Sequence, residues 1–173
     1  MKNKNKLLTT LSIIGLSITI NAYADDGKIN FIGNIIDNTC TIEQDSLDQN
    51  VILGDVSKEA LNGAAEKTAA PTQFIINMTN CPDVKAKIKF DGLKDSINPN
   101  LLALNTEENV ATGVGIRITD MANKEISLYT ATDLPDLTST PVKLNFIARY
   151  VSTGDTVTIG KANSTSQFTI IYN

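Results

Sequence analysis

Residues 160–173 read GKANSTSQFTIIYN, and the last seven of them decide the fold class. Phe168, Ile170 and Tyr172 alternate with Gln167, Thr169 and Ile171. A two-residue period with apolar side chains on one face is that of a half-buried β-strand. Chain ends ordinarily fray, so a strand running to the final residues raises the question of what covers its open side.

Working outward, the same kind of stretch recurs. KINFIGNII (28–36), NVILG (50–54), QFIINMTNC (73–81), AKIKFDG (86–92), VGIRITD (114–120), EISLYT (125–130) and VKLNFIARYVS (142–152) are apolar and rich in β-branched residues, with Gly, Pro, Asn and Asp at the breaks. That spacing predicts an all-β sandwich or barrel. SKEALNGAAEKTAAP (57–71) leans towards helix, but Gly63 interrupts it and Pro71 ends it, which predicts a long connection with one helical turn. NPNLLALNT (98–106) is expected to hold another short turn.

The other end carries MKNKNKLLTTLSIIGLSITINAYA (1–24). Lys2, Lys4 and Lys6 precede an apolar run over 7–20, followed by Ala22-Tyr23-Ala24. Basic, apolar and A-x-A in that order is a secretory signal peptide, and the run is short for a membrane span. Cleavage after Ala24 leaves about one domain's worth of chain. Export also makes pairing of the two cysteines, Cys40 and Cys81, the default over two buried thiols. The closed loop contributes roughly 4 kcal/mol in the chain-entropy account. The spacing is not C-x-x-C, which argues against a redox pair. Mass spectrometry of periplasmic material should therefore find a chain starting at Asp25 and two hydrogens lighter than its reduced form. A start elsewhere, or free thiols, would overturn the compartment argument.

Charge and composition narrow the function. The formal charge is −4 and becomes more negative once the three leader lysines are removed, so nucleic acid is not an expected partner. The chain has no histidine, which removes the commonest general base, metal ligand and triad partner. It contains no G-x-S-x-G, H-E-x-x-H, P-loop or EF-hand pattern. Gly113 and Gly115 lie in a G-x-G that enters a strand, where turn and packing roles are the plain reading. The neighbours Asp25/Asp26 and Glu107/Glu108 read as solvated. No catalytic residue, metal, cofactor or small-molecule substrate is expected.

In DDGKINFIGNIIDNTC (25–40), Ile29, Phe31, Gly33 and Ile35 fall on one face of a strand, and Lys28, Asn30, Ile32 and Asn34 on the other. The strand begins just after the cleavage site. Either both terminal strands pair within their own domain, or one of them serves a neighbour by strand addition.

The chain as a whole resembles structural subunits of chaperone-usher pili of the type 1 fimbrial group. The resemblance is carried by GNIIDNTCTI around the first cysteine, FIINMTNCP around the second, NLLAL, GVGIRITDMANKEISL, LNFIARYVST and the terminal GKANSTSQFTIIYN. Gly160 and the penultimate Tyr172 occupy the two positions that mark the family's last strand, while Asn173 stands where relatives commonly carry Gln.

The resemblance implies an incomplete immunoglobulin-like sandwich that lacks its last strand and is completed by a donor strand from a partner. It divides the chain into a signal peptide (1–24), an N-terminal donor-strand extension (25–36) and a pilin domain (37–173). Ile29, Phe31 and Ile35 become donor anchors, with Gly33 the small residue between them. Gly160, Phe168, Ile170, Tyr172 and Asn173 become the acceptor-groove and chaperone-binding set. Cys40 and Cys81 staple neighbouring strands. The implied partners are neighbouring subunits, a periplasmic chaperone and an outer-membrane usher, with passage through the periplasm to a surface fimbria that supports adhesion. An adhesive or ligand-binding sandwich secreted to the cell surface is the alternative, and an enzyme or inhibitor on a β scaffold is further off.

Overall fold

The computed structural model describes residues 27–33, 35, 39–137 and 141–172. The proposed leader, Asn34 and Asn173 lie outside the described residues. The chain divides into two units, Met1–Ile35 and Ile36–Asn173.

Among the described residues of the larger unit, seven strands form two sheets. They are β1 (Thr41–Ile42), β2 (Thr72–Thr79), β3 (Ala86–Gly92), β4 (Val114–Asp120), β5 (Thr132–Asp133), β6 (Val142–Ser152) and β7 (Ser166–Tyr172). One sheet has the order β1-β2-β6-β4 and the other β5-β3-β7, and every ladder is antiparallel. Two single helical turns interrupt them, α1 (Gln44–Leu47) and α2 (Lys58–Leu61). The turn at α2 is the one the sequence predicts, with the Ser57 hydroxyl accepting from the Glu59 amide as its cap.

Alternation along each long strand builds the core. In β6, Val142, Leu144, Phe146 and Ala148 point inward and are buried, while Lys143 between them is exposed. In β3, Ala86, Ile88 and Phe90 do the same from the other sheet. Phe74, Phe90 and Phe146 interlock across the sandwich, with Phe90 meeting Phe146 edge to face at 5.2 Å between ring centroids. Such a pair adds about 1 kcal/mol to what burial alone supplies. The disulfide joins Cys40, just before β1, to Cys81, just beyond β2, and pins a ladder of only two residue pairs.

Three expected strands turn out differently. EISLYT is a turn: Glu125 makes an isolated bridge to Thr119, Tyr129 adopts φ 63°, and the short strand β5 follows it instead. NVILG joins no ladder and lies in no helix. Residues 27–33 and 35 are not in a strand either; Ile29, Phe31, Ile32 and Ile35 are exposed, and a Cβ added to Gly33 would meet nothing within 4 Å. In each case the local pattern is that of a strand, but pairing needs a neighbour that sequence alone does not reveal.

Candidate strand-accepting groove

Strand β7 has a partner on one side only. Its residues pair with β3 from Ala86↔Tyr172 to Gly92↔Ser166, and among the described residues no strand pairs with its other edge. The burial pattern follows the alternation: Gln167 and Thr169 are exposed, while Phe168, Ile170 and Tyr172 pack against the core.

Facing that edge is the stretch around NVILG. Val51 and Leu53 pack against the core and Ile52 between them is 76% exposed, which is strand alternation without a strand partner. Among the described residues, no backbone hydrogen bond engages 49–56. Side chains near α1 occupy the adjacent edge of β2 instead. The Asn77 amide donates to the Ser46 hydroxyl at 2.8 Å, and Gln49 Nε2 donates to the Ile75 carbonyl at 3.2 Å. These bonds hold the stretch as a wall while leaving its own backbone groups free, a condition that invites pairing.

Between the two walls lies a cavity of about 1200 Å³ whose floor is the core itself: Ile76, Phe90, Ile116, Ile118 and Ala148 all line it. The sandwich is therefore open along one side, with apolar side chains at the bottom of the slot and unpaired backbone on each rim. Tyr150 lines one part of it and donates its hydroxyl proton to the Ala162 carbonyl at 2.9 Å. Burial, helped by the Asp55 charge, raises the Tyr150 pKa above that of an ordinary phenol, so this donor keeps its proton well into alkaline solution. Beside it, hydrogen bonds from Lys161 and then Asn163 hold the Glu107 carboxyl below the usual glutamate range, tying the 105–109 loop to the approach to β7.

Tyr172 has a second task. Its hydroxyl accepts the Cys40 amide proton at 2.9 Å, which ties the end of β7 to the start of β1 beside the disulfide. Tyr172→Phe keeps the ring and removes the acceptor, so chemical denaturation should show a loss of about 1 kcal/mol. An unchanged midpoint would mean that the amide finds another partner.

Gly160 lies outside the cavity lining. It sits where the chain passes the backbone of Asn109, Val110 and Ala111, and any Cβ would collide with those three residues. Phe168, Ile170 and Tyr172 line the cavity together with Cys40. The donor candidates Ile29, Phe31, Gly33 and Ile35 belong to the other unit. Sequence reasoning missed the opposite wall, Val51 to Leu53, and the core floor, because NVILG looks like any other paired strand. Among the described residues, no cluster of metal-ligating side chains is present and no helix is long and apolar enough to cross a membrane.

Comparison with known proteins points the same way as this geometry. A family profile described as Fimbrial protein matches residues 29–173. Long polar fimbria protein A of Salmonella typhimurium is 34% identical over 175 residues, covering 99% of this chain and 97% of that protein. Among solved structures, the Burkholderia pseudomallei antigen and type I fimbria protein is 30% identical with a TM-score of 0.61, covering 78% of this chain and 89% of its own. The P pilus rod subunit PapA is 23% identical with a TM-score of 0.66 over 78% of this chain and 99% of its own, a likeness of fold.

Proposed function

Because the chain belongs to the Fimbrial protein family, whose members are structural subunits and not enzymes, we propose that it builds a fibre by donating its N-terminal segment to the groove of the next copy. One observation carries this reading: the sandwich is open on the side where β7 and the 49–56 wall present unpaired backbone above an apolar floor.

The chemistry of the N-terminal segment complements the slot. Ile29, Phe31 and Ile35 alternate at strand spacing and are exposed in the subunit, so they are available to a groove elsewhere. Burying three such side chains contributes roughly 5 to 9 kcal/mol before the cost of ordering the segment. Main-chain hydrogen bonds to both rims add affinity and fix the register. A donor patch and an acceptor patch on different parts of one chain make a heterologous contact that does not close on itself, and the product is a fibre.

An open apolar slot is also an aggregation hazard before assembly. On this reading a periplasmic chaperone lends a strand to the groove after export, an outer-membrane usher exchanges it for the next subunit's segment, and the fibre displayed at the cell surface supports adhesion. Family membership supports this route through its surface-fimbria context.

A synthetic peptide covering 25–39 tests the central step. Mixed with the subunit in excess, it should give a one-to-one complex by native mass spectrometry and raise the thermal midpoint. Failure to bind at high micromolar concentration would overturn strand donation.

A further inference from the structure

Among the described residues, the wall over 49–56 makes no backbone hydrogen bond of its own, so its place beside the slot is set at its two ends. At the α1 end Ser46 and Gln49 hold it to β2. At the other end the chain passes through the Ser57 cap into α2, and what fastens α2 lies outside the groove. Leu61 of α2 is buried with Val114 and Val157 in a second apolar cluster, against which Val56 and Tyr150 pack. Tyr150 also lines the cavity, so this cluster reaches the floor of the slot.

Polar bonds complete the junction. The Val157 amide donates to Asn62 Oδ1 at 2.9 Å, and the Gly63 amide to the Asp155 carbonyl at 2.8 Å. Asn62 also closes α2 with its own amide on the Lys58 carbonyl, and its carbonyl accepts from Lys67 Nζ at 2.6 Å. The Ser152 hydroxyl, in a residue with no exposed surface, accepts the Lys67 amide proton at 3.0 Å and donates to the Ala64 carbonyl at 2.7 Å. Main-chain bonds run alongside, from the Glu66 amide to the Ser152 carbonyl and from the Ser152 amide to the Lys67 carbonyl. Residues 62–67 are thus tied to 152–157. The wall enters this junction through α2, and the chain leaves it through 158–165 to become β7. Both rims of the slot grow out of one knot.

We propose that Asn62 and Ser152 are positioning residues that fix the spacing of the two rims. Neither lines the cavity, so each acts through the segments it joins. An incoming strand needs rims about 10 Å apart, twice the distance between neighbouring strands. Rims already held at that spacing leave little to be ordered on capture, and less ordering means tighter binding. This inference rests on the reading of the slot as strand-accepting.

The test measures the rims directly. Spin labels are placed through Ile52→Cys on the wall and Thr169→Cys on β7, both exposed positions, while Cys40 and Cys81 are spared because they are joined in the disulfide. Double electron–electron resonance on the empty subunit should give one narrow distance distribution. Asn62→Ala, which takes the acceptor from the Val157 amide, should broaden it, and without labels should release the 25–39 peptide about tenfold faster. Asn62→Asp keeps an oxygen at that place and should restore both. Ser152→Ala should broaden the distribution independently. Ile126→Val trims a buried side chain that belongs to the main core and does not line the cavity, so it lowers stability from elsewhere and should leave the distribution narrow. A distribution unchanged in either Asn62→Ala or Ser152→Ala, no restoration by Asn62→Asp, or equal broadening in Ile126→Val would overturn the positioning role. Any of these alongside peptide capture by wild type sinks this inference alone, whereas wild-type protein that does not capture the peptide sinks strand donation and this role with it.

Discussion

Ile170→Asp is expected to abolish strand capture while Thr169→Asp, one residue away, leaves it intact. Ile170 pairs with Ile88, which is fully buried, and it faces the cavity beside Phe168 and Tyr172. Thr169 is exposed on the opposite face of the same strand. A carboxylate at 170 must either remain charged in an apolar slot or take up a proton, and both cost several kcal/mol. Every 1.4 kcal/mol is tenfold in binding, so affinity for the 25–39 peptide should fall by at least a hundredfold. At 169 the same charge points into water and its effect should stay within a few tenths of a kcal/mol. Far-ultraviolet circular dichroism and disulfide content would establish that both variants fold. Equal capture by Ile170→Asp and wild type would remove β7 from the groove wall.

The contrast between neighbouring positions marks what the sequence made legible. The period of two placed Phe168, Ile170 and Tyr172 on one face, and the long strands β2, β3, β4 and β6 follow their apolar runs closely. Secretion chemistry pointed to the Cys40–Cys81 pair, and the disulfide is present. Connectivity between elements was not legible. NVILG has the composition of a paired strand, yet no local feature says that its neighbour is missing, because a ladder is a property of two segments. EISLYT likewise alternates, but the left-handed Tyr129 turns the chain, held by its amide on the Phe90 carbonyl and its hydroxyl on the Gly92 carbonyl. Gly160 carried a family signature whose local physical cause, a close backbone crossing with Asn109 to Ala111, appears only in three dimensions.

The donor side allows a sharper test, because a strand's two faces swap with a slip of one residue. Phe31 and Ile32 are adjacent, apolar and almost equally exposed, at 93% and 95%. Neither contributes to a core of its own, so replacing either by Asp should leave the subunit's stability and its capacity to accept a peptide unchanged. Donation should separate them completely. In the proposed register Phe31 enters the neighbour's slot with Ile29 and Ile35, whereas Ile32 faces out with Lys28 and Asn30. Phe31→Asp then loses an aromatic anchor and brings a charge into an apolar cavity, together several kcal/mol, and fibres should not form. Ile32→Asp should assemble at close to the wild-type rate. The measurement is displacement of a bound 25–39 peptide by longer chains carrying each change, followed by electron microscopy for fibres. If Ile32→Asp blocks assembly and Phe31→Asp does not, the segment inserts with the opposite face and the anchors must be reassigned. If both assemble normally, residues 29–35 are not the donor, and the groove must take its covering strand from elsewhere.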